Sequence, residues 1–348
     1  DEELNEGKLP QLPAGHVAIF DLDADGMPVN CDAARIVDVT GLAEIAPEDP
    51  EPEFVSINED NVAVLTLQEN NHLALIDLAS GTVTAHFSAG TASAEAVPVA
   101  KGASSDASGN TENVKREPDA VAWLDNDRFI TANEGDYEGG SRGFTIWNTK
   151  GDVLYDSGNK LEHIAMMTGH YPAKRASKKG TEPEGVAIGE FGGQKLIFVN
   201  SERANMVSVF KDTGGEPQLL QMLPTHVAPE GVLAIPSRNL FVVANEADKP
   251  KDGLRSQVGI YEFGADKPAY PVLTSAFDPE TGAPIGWGAL SGLAADKTDP
   301  NTLYAVSDSF YDQARIYTLD LSMSPVEITS YVNITGGSPK KFDMEGIS

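Results

Sequence analysis

The chain has 348 residues, of which 41% are hydrophobic, so it can bury a sizeable core. The net charge of −28, from 53 acidic and 25 basic residues, disfavours nucleic acid and anionic membranes as partners and favours cations, although solubility in a salty medium would also explain it. Cys31 is the single cysteine, which excludes an intrachain disulfide and a cysteine-based metal site, and no apolar run approaches the ~20 residues of a membrane span.

The first predicted elements are two short apolar strands, at residues 16–21 and 36–39. They match the third and fourth strands of a unit that recurs later in the chain, with no first or second strand before them. A complete unit of four strands follows. Its strands are predicted at residues 54–56, 62–67, 73–77 and 83–87.

The turn between the first two strands carries regularly spaced acids. Asp21, Asp23 and Asp25 have a spacing typical of a calcium-binding loop. The corresponding turn of the first full unit, residues 76–81, lacks this spacing, and no predicted helices flank the segment. Gly26 suits a hairpin turn that needs positive φ. A plain turn and a local Ca²⁺ site both remain open interpretations.

Residues 88–116 separate this unit from the next and are rich in Ala, Ser, Gly and Thr. Such a composition predicts a long low-complexity loop that connects two units. We expect this loop to be mobile or to pack on one face of the domain.

A short acidic phrase recurs through the chain and marks the start of each unit. It is first seen as Glu-Pro-Asp-Ala-Val-Ala at 117–122, and it returns at 182–187, 229–232 and 343–347, with a version that lacks the acid at 290–294. The next strand in each full copy ends in Asn or Ser plus an acid. A strand rich in β-branched and aromatic residues, a tight turn and a weaker fourth strand then follow. No helix is predicted.

Five four-stranded units at a spacing of tens of residues predict an all-β fold, namely a β-propeller of four-stranded blades. The N-terminal strand pair and the phrase at 343–347 are each part of a unit, so we expect a closing blade shared by the N- and C-termini. Six blades are favoured, and seven are possible if one blade lies wholly beyond Ser348. Residues 1–348 are therefore interpreted as a single domain that is truncated at its C-terminus.

The repeated acids are predicted to meet at one mouth of the central channel. In an antiparallel pair the start of the first strand lies beside the end of the second, and first strands are innermost in a propeller. The acids predicted there are Asp119 with Glu134, Glu184 with Glu202, Glu230 with Glu246, together with Asp308 and Glu345. Less regular pairs are Ser291 with Asp308 and Glu53 with Glu69.

So many carboxylates cannot all stay ionised close together without a cation or raised pKa values. Oxygen ligands without His or Cys suit Ca²⁺ rather than zinc or copper. The sequence therefore predicts a divalent cation, Ca²⁺, at the mouth. The alternative is that the acids bond backbone N–H groups of neighbouring blades or point into a wet channel.

The loop at residues 172–181, called here the basic loop, holds the only basic cluster of the chain. This loop precedes a first strand, so it should lie on the same face as the acidic mouth. Candidate phosphate ligands are Arg142 and the loop residues Lys174, Arg175, Lys178 and Lys179. The alternative is a solvated loop that offsets the local negative charge.

Several phrases resemble two bacterial propeller families. Arg-Glu-Pro-Asp-Ala-Val-Ala-Trp at 116–123 and the phrases at 132–136, 182–186 and 243–246 resemble the choice-of-anchor I domain. The phrases at 290–293, 304–308, 316–320 and 343–347 resemble the phytase-like propeller domain described as esterase-like. The resemblance implies an exported bacterial protein, whether secreted, periplasmic or at the cell surface, with Ca²⁺ dependence and phosphoester hydrolase activity. Propeller phytases hold clustered Ca²⁺ ions with acids and bind phosphate with basic side chains, but no catalytic residue can be carried over.

Two functions are consistent with the sequence. The first is a Ca²⁺-dependent phosphoester hydrolase that acts on a phosphorylated small molecule with a metal-activated water. The second is a non-catalytic extracellular module that binds a protein or glycan and is stabilised by Ca²⁺. The chain contains no Gly-x-Ser-x-Gly and no His-Glu-x-x-His motif, which leaves no recognisable covalent nucleophile. A metal–water mechanism needs only acids and is not affected by that absence.

Overall fold

A computed structural model describes residues 9–102, 106–266, 268–335 and 342–347. Near the N-terminus, β1 (Val17–Ile19) and β2 (Arg35–Val37) form a two-stranded antiparallel sheet, with a 3₁₀ turn at Cys31–Ala33 between them. The predicted N-terminal strand pair is therefore confirmed.

The first full unit folds as a four-stranded antiparallel sheet, here called sheet A, with its strands in chain order. Alternating and continuous apolar runs of β-branched and aliphatic residues explain why these segments form strands. The strands of sheet A are β3 (Pro52–Ile57), β4 (Val62–Leu67), β5 (His72–Asp77) and β6 (Thr82–Ser88).

The segment predicted as a plain loop at 88–116 contains regular structure, which corrects that expectation. β7 (Thr91–Val97) and β8 (Gly109–Lys115) pair as an antiparallel hairpin with two register shifts. Ala94 and Val97 are buried while alternate residues face solvent. Small residues thus supply one apolar face, and the weak hydrophobicity of Ala concealed the strand period from composition.

Sheets B and C repeat the four-stranded order of sheet A. Sheet B consists of β9 (Val121–Trp123), β10 (Arg128–Ala132), β11 (Phe144–Asn148) and β12 (Val153–Asp156). Sheet C consists of β13 (Val186–Phe191), β14 (Gln194–Ser201), β15 (Met206–Lys211) and β16 (Gln218–Pro224).

A short α-helix, α1 (Lys160–Met167), lies in the connection between sheets B and C. This corrects the expectation that the chain has no helix. Leu161, Ile164 and Ala165 pack into the core beside both sheets. With only 8 residues, the helix depends on this tertiary packing, since helices so short are marginal alone. Among the described residues, no helix is long and apolar enough to cross a bilayer.

The last two sheets depart from four strands. Sheet D has three: β17 (Pro229–Ile235), β18 (Leu240–Asn245) and β19 (Gln257–Glu262). Sheet E has five: β20 (Leu273–Ser275), β21 (Leu290–Ala295), β22 (Thr302–Ser307), β23 (Arg315–Asp320) and β24 (Val326–Asn333). β20, which follows β19 in the chain, does not complete sheet D. It pairs in parallel with β24 at the edge of sheet E. Further 3₁₀ turns lie at Ala173–Arg175, Pro236–Arg238 and Pro250–Asp252.

The hydrophobic core lies in layers between neighbouring sheets. Apolar residues of sheet A pack against Trp123, Phe129 and Trp147 of sheet B. Phe198 of sheet C stacks on Phe241 of sheet D with ring centroids 4.1 Å apart. The first strands also lie side by side, β3 against β9, β9 against β13 and β13 against β17. Sheets A to D therefore pack one against the next, with their first strands side by side.

Candidate functional site

The backbone at the start of each unit explains how the acids are placed. Glu117, Glu182, Ala228 and Ala289 each adopt positive φ, between 42 and 57°, at the entry to the first strand of sheets B, C, D and E. In sheets C, D and E the carbonyl oxygen of this residue accepts the N–H of the residue that follows the second strand, at 2.8–3.0 Å, and in sheet B the carbonyl oxygen of Glu117 accepts the N–H of Gly135 at 3.1 Å. The resulting turn fixes the start of the first strand beside the end of the second, as the antiparallel pairing requires.

Six acids from sheets B, C and D come together and are named here the acidic cluster. They are Asp119, Glu134, Glu182, Glu184, Glu202 and Glu230. Carboxylate oxygens of Glu134, Glu182 and Glu184 all lie within 4.8 Å of one another. Because like charges this close repel strongly, the cluster must be neutralised by bases, protons or a cation.

Basic side chains neutralise the outer members of the acidic cluster. The Nζ atom of Lys179 lies 2.5 Å from Glu134 Oε1, and Gln68 donates a hydrogen bond of 2.8 Å to the other oxygen. Burial nevertheless raises the pKa of Glu134 to about 7, although Lys179 opposes the shift. Glu182 is fully buried and pairs with Arg175 at 2.5 Å and Arg203 at 2.9 Å.

The centre of the acidic cluster is less well compensated. Burial, a hydrogen bond with Glu230 and the charge of Glu202 raise the pKa of Glu184 far above its ordinary value. Glu202 pairs with Arg203 at 2.5 Å through one oxygen, and burial still raises its pKa. Glu184 Oε2 and Glu202 Oε2 are both buried without a hydrogen-bond partner. Burial also raises the pKa of Asp119, with Glu53 and Glu134 adding to the shift.

Three of the predicted mouth acids do not take part in these contacts. Glu246 and Glu345 are exposed. Asp308 instead lines a cleft of about 490 Å³ with Lys174, Arg175 and Phe310. Ser291 Oγ donates a hydrogen bond to the carbonyl oxygen of Met344, which precedes Glu345 in the chain.

The five candidate phosphate ligands occupy different environments. Arg142 is 3% exposed, pairs with Glu162 at 3.2 Å, and donates to the carbonyls of Pro98, Ala176 and Lys178. Its guanidinium therefore ties the basic loop to α1. Arg175 and Lys179 point into the acidic cluster, as described above. Lys174 and Lys178 are exposed.

The spaced aspartates near the N-terminus form a hairpin turn. Asp23 Oδ1 accepts the backbone N–H groups of Asp25 and Met27, each at 2.9 Å. Asp21 pairs with Arg35 at 2.7 Å. Within the described residues, the set of three acids with converging oxygens is Glu134, Glu182 and Glu184, and these aspartates form no such set.

Sequence reasoning missed Glu182, which belongs to the acidic cluster. The signal was present, because a Glu precedes Pro in the copies at 117 and 182. The prediction used only the acid that follows Pro in the repeated phrase, and therefore left out the Glu that precedes it. The repeat could not predict that Lys179 pairs with Glu134 or that Arg203 pairs with Glu182. The two residues of each pair lie in different connections between strands.

Comparisons with known proteins bear on both halves of the chain. The choice-of-anchor I domain model matches residues 16–139 and 137–215, which is more than half of the chain. A Phytase-like model, described as esterase-like activity of phytase, matches residues 285–348. No curated protein matches the chain in sequence.

Solved structures with some similarity share little sequence with the chain. Virginiamycin B lyase from Staphylococcus aureus is 10% identical, with 84% of this chain and 72% of that chain covered and a TM-score of 0.34. A protein of unknown function from Desulfotomaculum acetoxidans is 13% identical, with coverages of 92% and 86% and a TM-score of 0.42. A chain of a nidogen/laminin complex is 9% identical, with coverages of 96% and 94% and a TM-score of 0.39.

Proposed function

Since the chain belongs to the choice-of-anchor I family, we propose that it is an exported bacterial β-propeller that binds Ca²⁺ in its acidic cluster and acts as an extracellular binding module. Its partner would be a protein or glycan outside the cell. The Ca²⁺ ion would stabilise the inner ends of the sheets.

The arrangement of the sheets supports the propeller. Four-stranded order recurs in sheets A, B and C, first strands of successive sheets are in contact, and apolar layers fill the spaces between sheets. The β1–β2 pair packs its Ile19 and Val37 onto sheet A, while residues 344 and 346 lie against β21 of sheet E. Both ends of the chain thus lie next to terminal sheets, which supports a sixth, shared blade. Ser348 and residues 336–341 lie outside the described residues.

One observation carries the Ca²⁺ proposal: two buried carboxylate oxygens, Glu184 Oε2 and Glu202 Oε2, lack partners at the centre of the acidic cluster. An unpartnered buried acceptor on a charged group costs about 1–3 kcal/mol or more. A cation bound there would remove that cost and the repulsion between the two groups. The available donors are all oxygen atoms, and Ca²⁺ accepts such sets with flexible geometry.

The test is a count of bound Ca²⁺ on chelator-treated protein by isothermal titration calorimetry. We expect Glu184→Gln to lower the stoichiometry by one, because the variant keeps the shape but removes the charge. Glu246→Gln is the matched control. Glu246 is exposed, and among the described residues it makes no contact with the acidic cluster. An unchanged stoichiometry in Glu184→Gln would refute the proposal.

A second candidate function, phosphoester hydrolysis, rests on the cleft that contains Lys174, Arg175 and Asp308. Asp308 belongs to the part of the chain that matches the Phytase-like model. Lys174 is exposed at this cleft and is available to bind a phosphate oxygen.

Assays with p-nitrophenyl phosphate and phytate, with Ca²⁺ and with chelator, distinguish the two functions. Chelator-sensitive turnover that falls in Lys174→Ala would support the hydrolase. Lys178→Ala is a matched control from the same loop. Absence of turnover with Ca²⁺ bound would leave the binding module as the function.

A further inference from the structure

A glutamate before a proline lies at the entry to the first strand in three of the sheets. Glu51, Glu117 and Glu182 each precede Pro at the entry to the first strand of sheets A, B and C, and each is at most 1% exposed. A fully buried carboxylate needs hydrogen-bond donors or an opposite charge to remain ionised.

Two of the three glutamates are compensated by the protein itself. Glu117 accepts hydrogen bonds from the backbone N–H groups of Asp136, Tyr137 and Glu138 at 2.7–2.8 Å. Glu182 is paired with the guanidinium groups of Arg175 and Arg203, as described above.

Among the described residues, Glu51 is compensated less: its carboxyl group forms side-chain hydrogen bonds with Gln11 and Asp49, and neither partner carries a positive charge. Its neighbours of like charge are Asp49 and Glu69, and among the described residues no basic side chain pairs with Glu51 or Asp49. Asp49 is fully buried, and one oxygen on each of the two carboxylates has no hydrogen-bond partner. Burial, Asp49 and Glu69 raise the pKa of Glu51 to about 8.

A neutral oxygen completes this group. Gln11 is 5% exposed, its side-chain amide donates a hydrogen bond to Glu51 that lowers the pKa of that carboxyl, and its Oε1 atom is buried without a partner. The backbone N–H of Gln11 donates to Asp49. Asn70 fixes the backbone at Asp49 and Glu51. Its side-chain oxygen accepts a hydrogen bond of 2.8 Å from the backbone N–H of Glu51, and its side-chain nitrogen donates one of 2.9 Å to the carbonyl oxygen of Asp49.

We propose that a second Ca²⁺ ion binds between the N-terminal segment and the entry to sheet A, with Asp49, Glu51 and the Oε1 atom of Gln11 as ligands. Two carboxylates and an amide carbonyl form an oxygen-only set that suits Ca²⁺. The ion supplies the compensation that backbone N–H groups give to Glu117 and two arginines give to Glu182. It also joins the segment around Gln11 to sheet A. None of the three ligands belongs to the acidic cluster, and the proposal does not depend on the proposed function.

The experiment is a Ca²⁺ titration of the chelator-treated full chain by calorimetry, with Glu51→Gln as the test variant. We expect the stoichiometry to fall by one. Glu117→Gln is the matched control, because it alters the corresponding buried glutamate of sheet B and should leave the stoichiometry unchanged. Loss of one ion in Glu184→Gln but not in Glu51→Gln would overturn this proposal while supporting the proposed function. Loss of one ion in Glu51→Gln but not in Glu184→Gln would support this proposal and refute the proposed function.

Hydrogen exchange provides a second measurement that does not depend on the folding of Glu51→Gln. In the wild-type chain, Ca²⁺ should slow exchange of the Gln11 amide at least tenfold. Gln11→Leu, which keeps both acids, should abolish most of that protection. If Ca²⁺ leaves exchange at Gln11 unchanged in the wild type, Glu51 carries a proton instead of coordinating an ion, and the proposal is wrong.

Discussion

The stability of the chain should depend on pH through one buried histidine. His72 on β5 is 4% exposed, and its Nε2 atom lies 3.0 Å from Nδ1 of His86 on β6. Burial, with a smaller contribution from His86, lowers the pKa of His72 from 6.5 to about 4. The folded protein therefore keeps this ring neutral in a range where the unfolded chain binds a proton.

The sign and size of the effect follow from that difference. A lowered pKa in the folded state contributes stability that is present above pH 6.5 and is lost as the pH falls towards 4. At about 1.4 kcal/mol for each pKa unit, the full loss is about 3 kcal/mol. Most of this loss of stability should have occurred by pH 4.5, because the histidine of the unfolded chain is then almost fully protonated.

The assay is urea denaturation at several pH values between 7.5 and 4.5, for wild type and His72→Gln. The difference between the two isolates His72, because the acidic residues titrate in both proteins. We expect wild type to lose about 2.5 kcal/mol more than His72→Gln over this range. His226→Gln, at an exposed histidine, should behave like wild type. Parallel loss of stability in wild type and His72→Gln would refute the assignment of a buried neutral ring.

Two further predictions concern the packing around the candidate site. Arg142→Met should lower the free energy of unfolding by about 3–5 kcal/mol, because it leaves Glu162 buried without its partner, and a thermal melt would measure this. Equal melting of Arg142→Met and wild type would contradict the buried pair. Gly185→Ala should cost about 1–3 kcal/mol, since a Cβ atom there would lie 2.7 Å from the carbonyl oxygen of Glu230 in the next sheet. Gly231→Ala, at the corresponding position with its nearest contact at 3.5 Å, should be close to neutral in the same denaturation assay.

Much of the sheet structure could be predicted because strand period and turn residues are local signals. Second and third strands such as β4 and β5 were evident, since they are apolar almost throughout and buried on both faces. The hairpin β7–β8 was missed because Ala and Thr give a weak apolar contrast. Helix α1 was missed because its eight residues are stabilised by packing between two sheets and not by local propensity.

Convergence of the acids was predictable only in part. The phrase places Asp119, Glu184 and Glu230 at the starts of first strands, and antiparallel pairing then brings the ends of second strands beside them. The compensating charges were not predictable. Arg175 and Lys179 turn inwards from their loop, so these two residues, expected to bind phosphate, neutralise glutamates instead.

The sequence by itself determined the all-β class, the repeated unit and the acids carried at its start, because each depends on spacing along the chain. Only the tertiary structure decided which carboxylates have internal partners. Glu51, Glu117 and Glu182 occupy the same position in the repeat, yet one is held by backbone N–H groups, one by two arginines and one by neither. The physical reason is that burial sets the cost of a charge, while its compensation comes from residues distant in sequence.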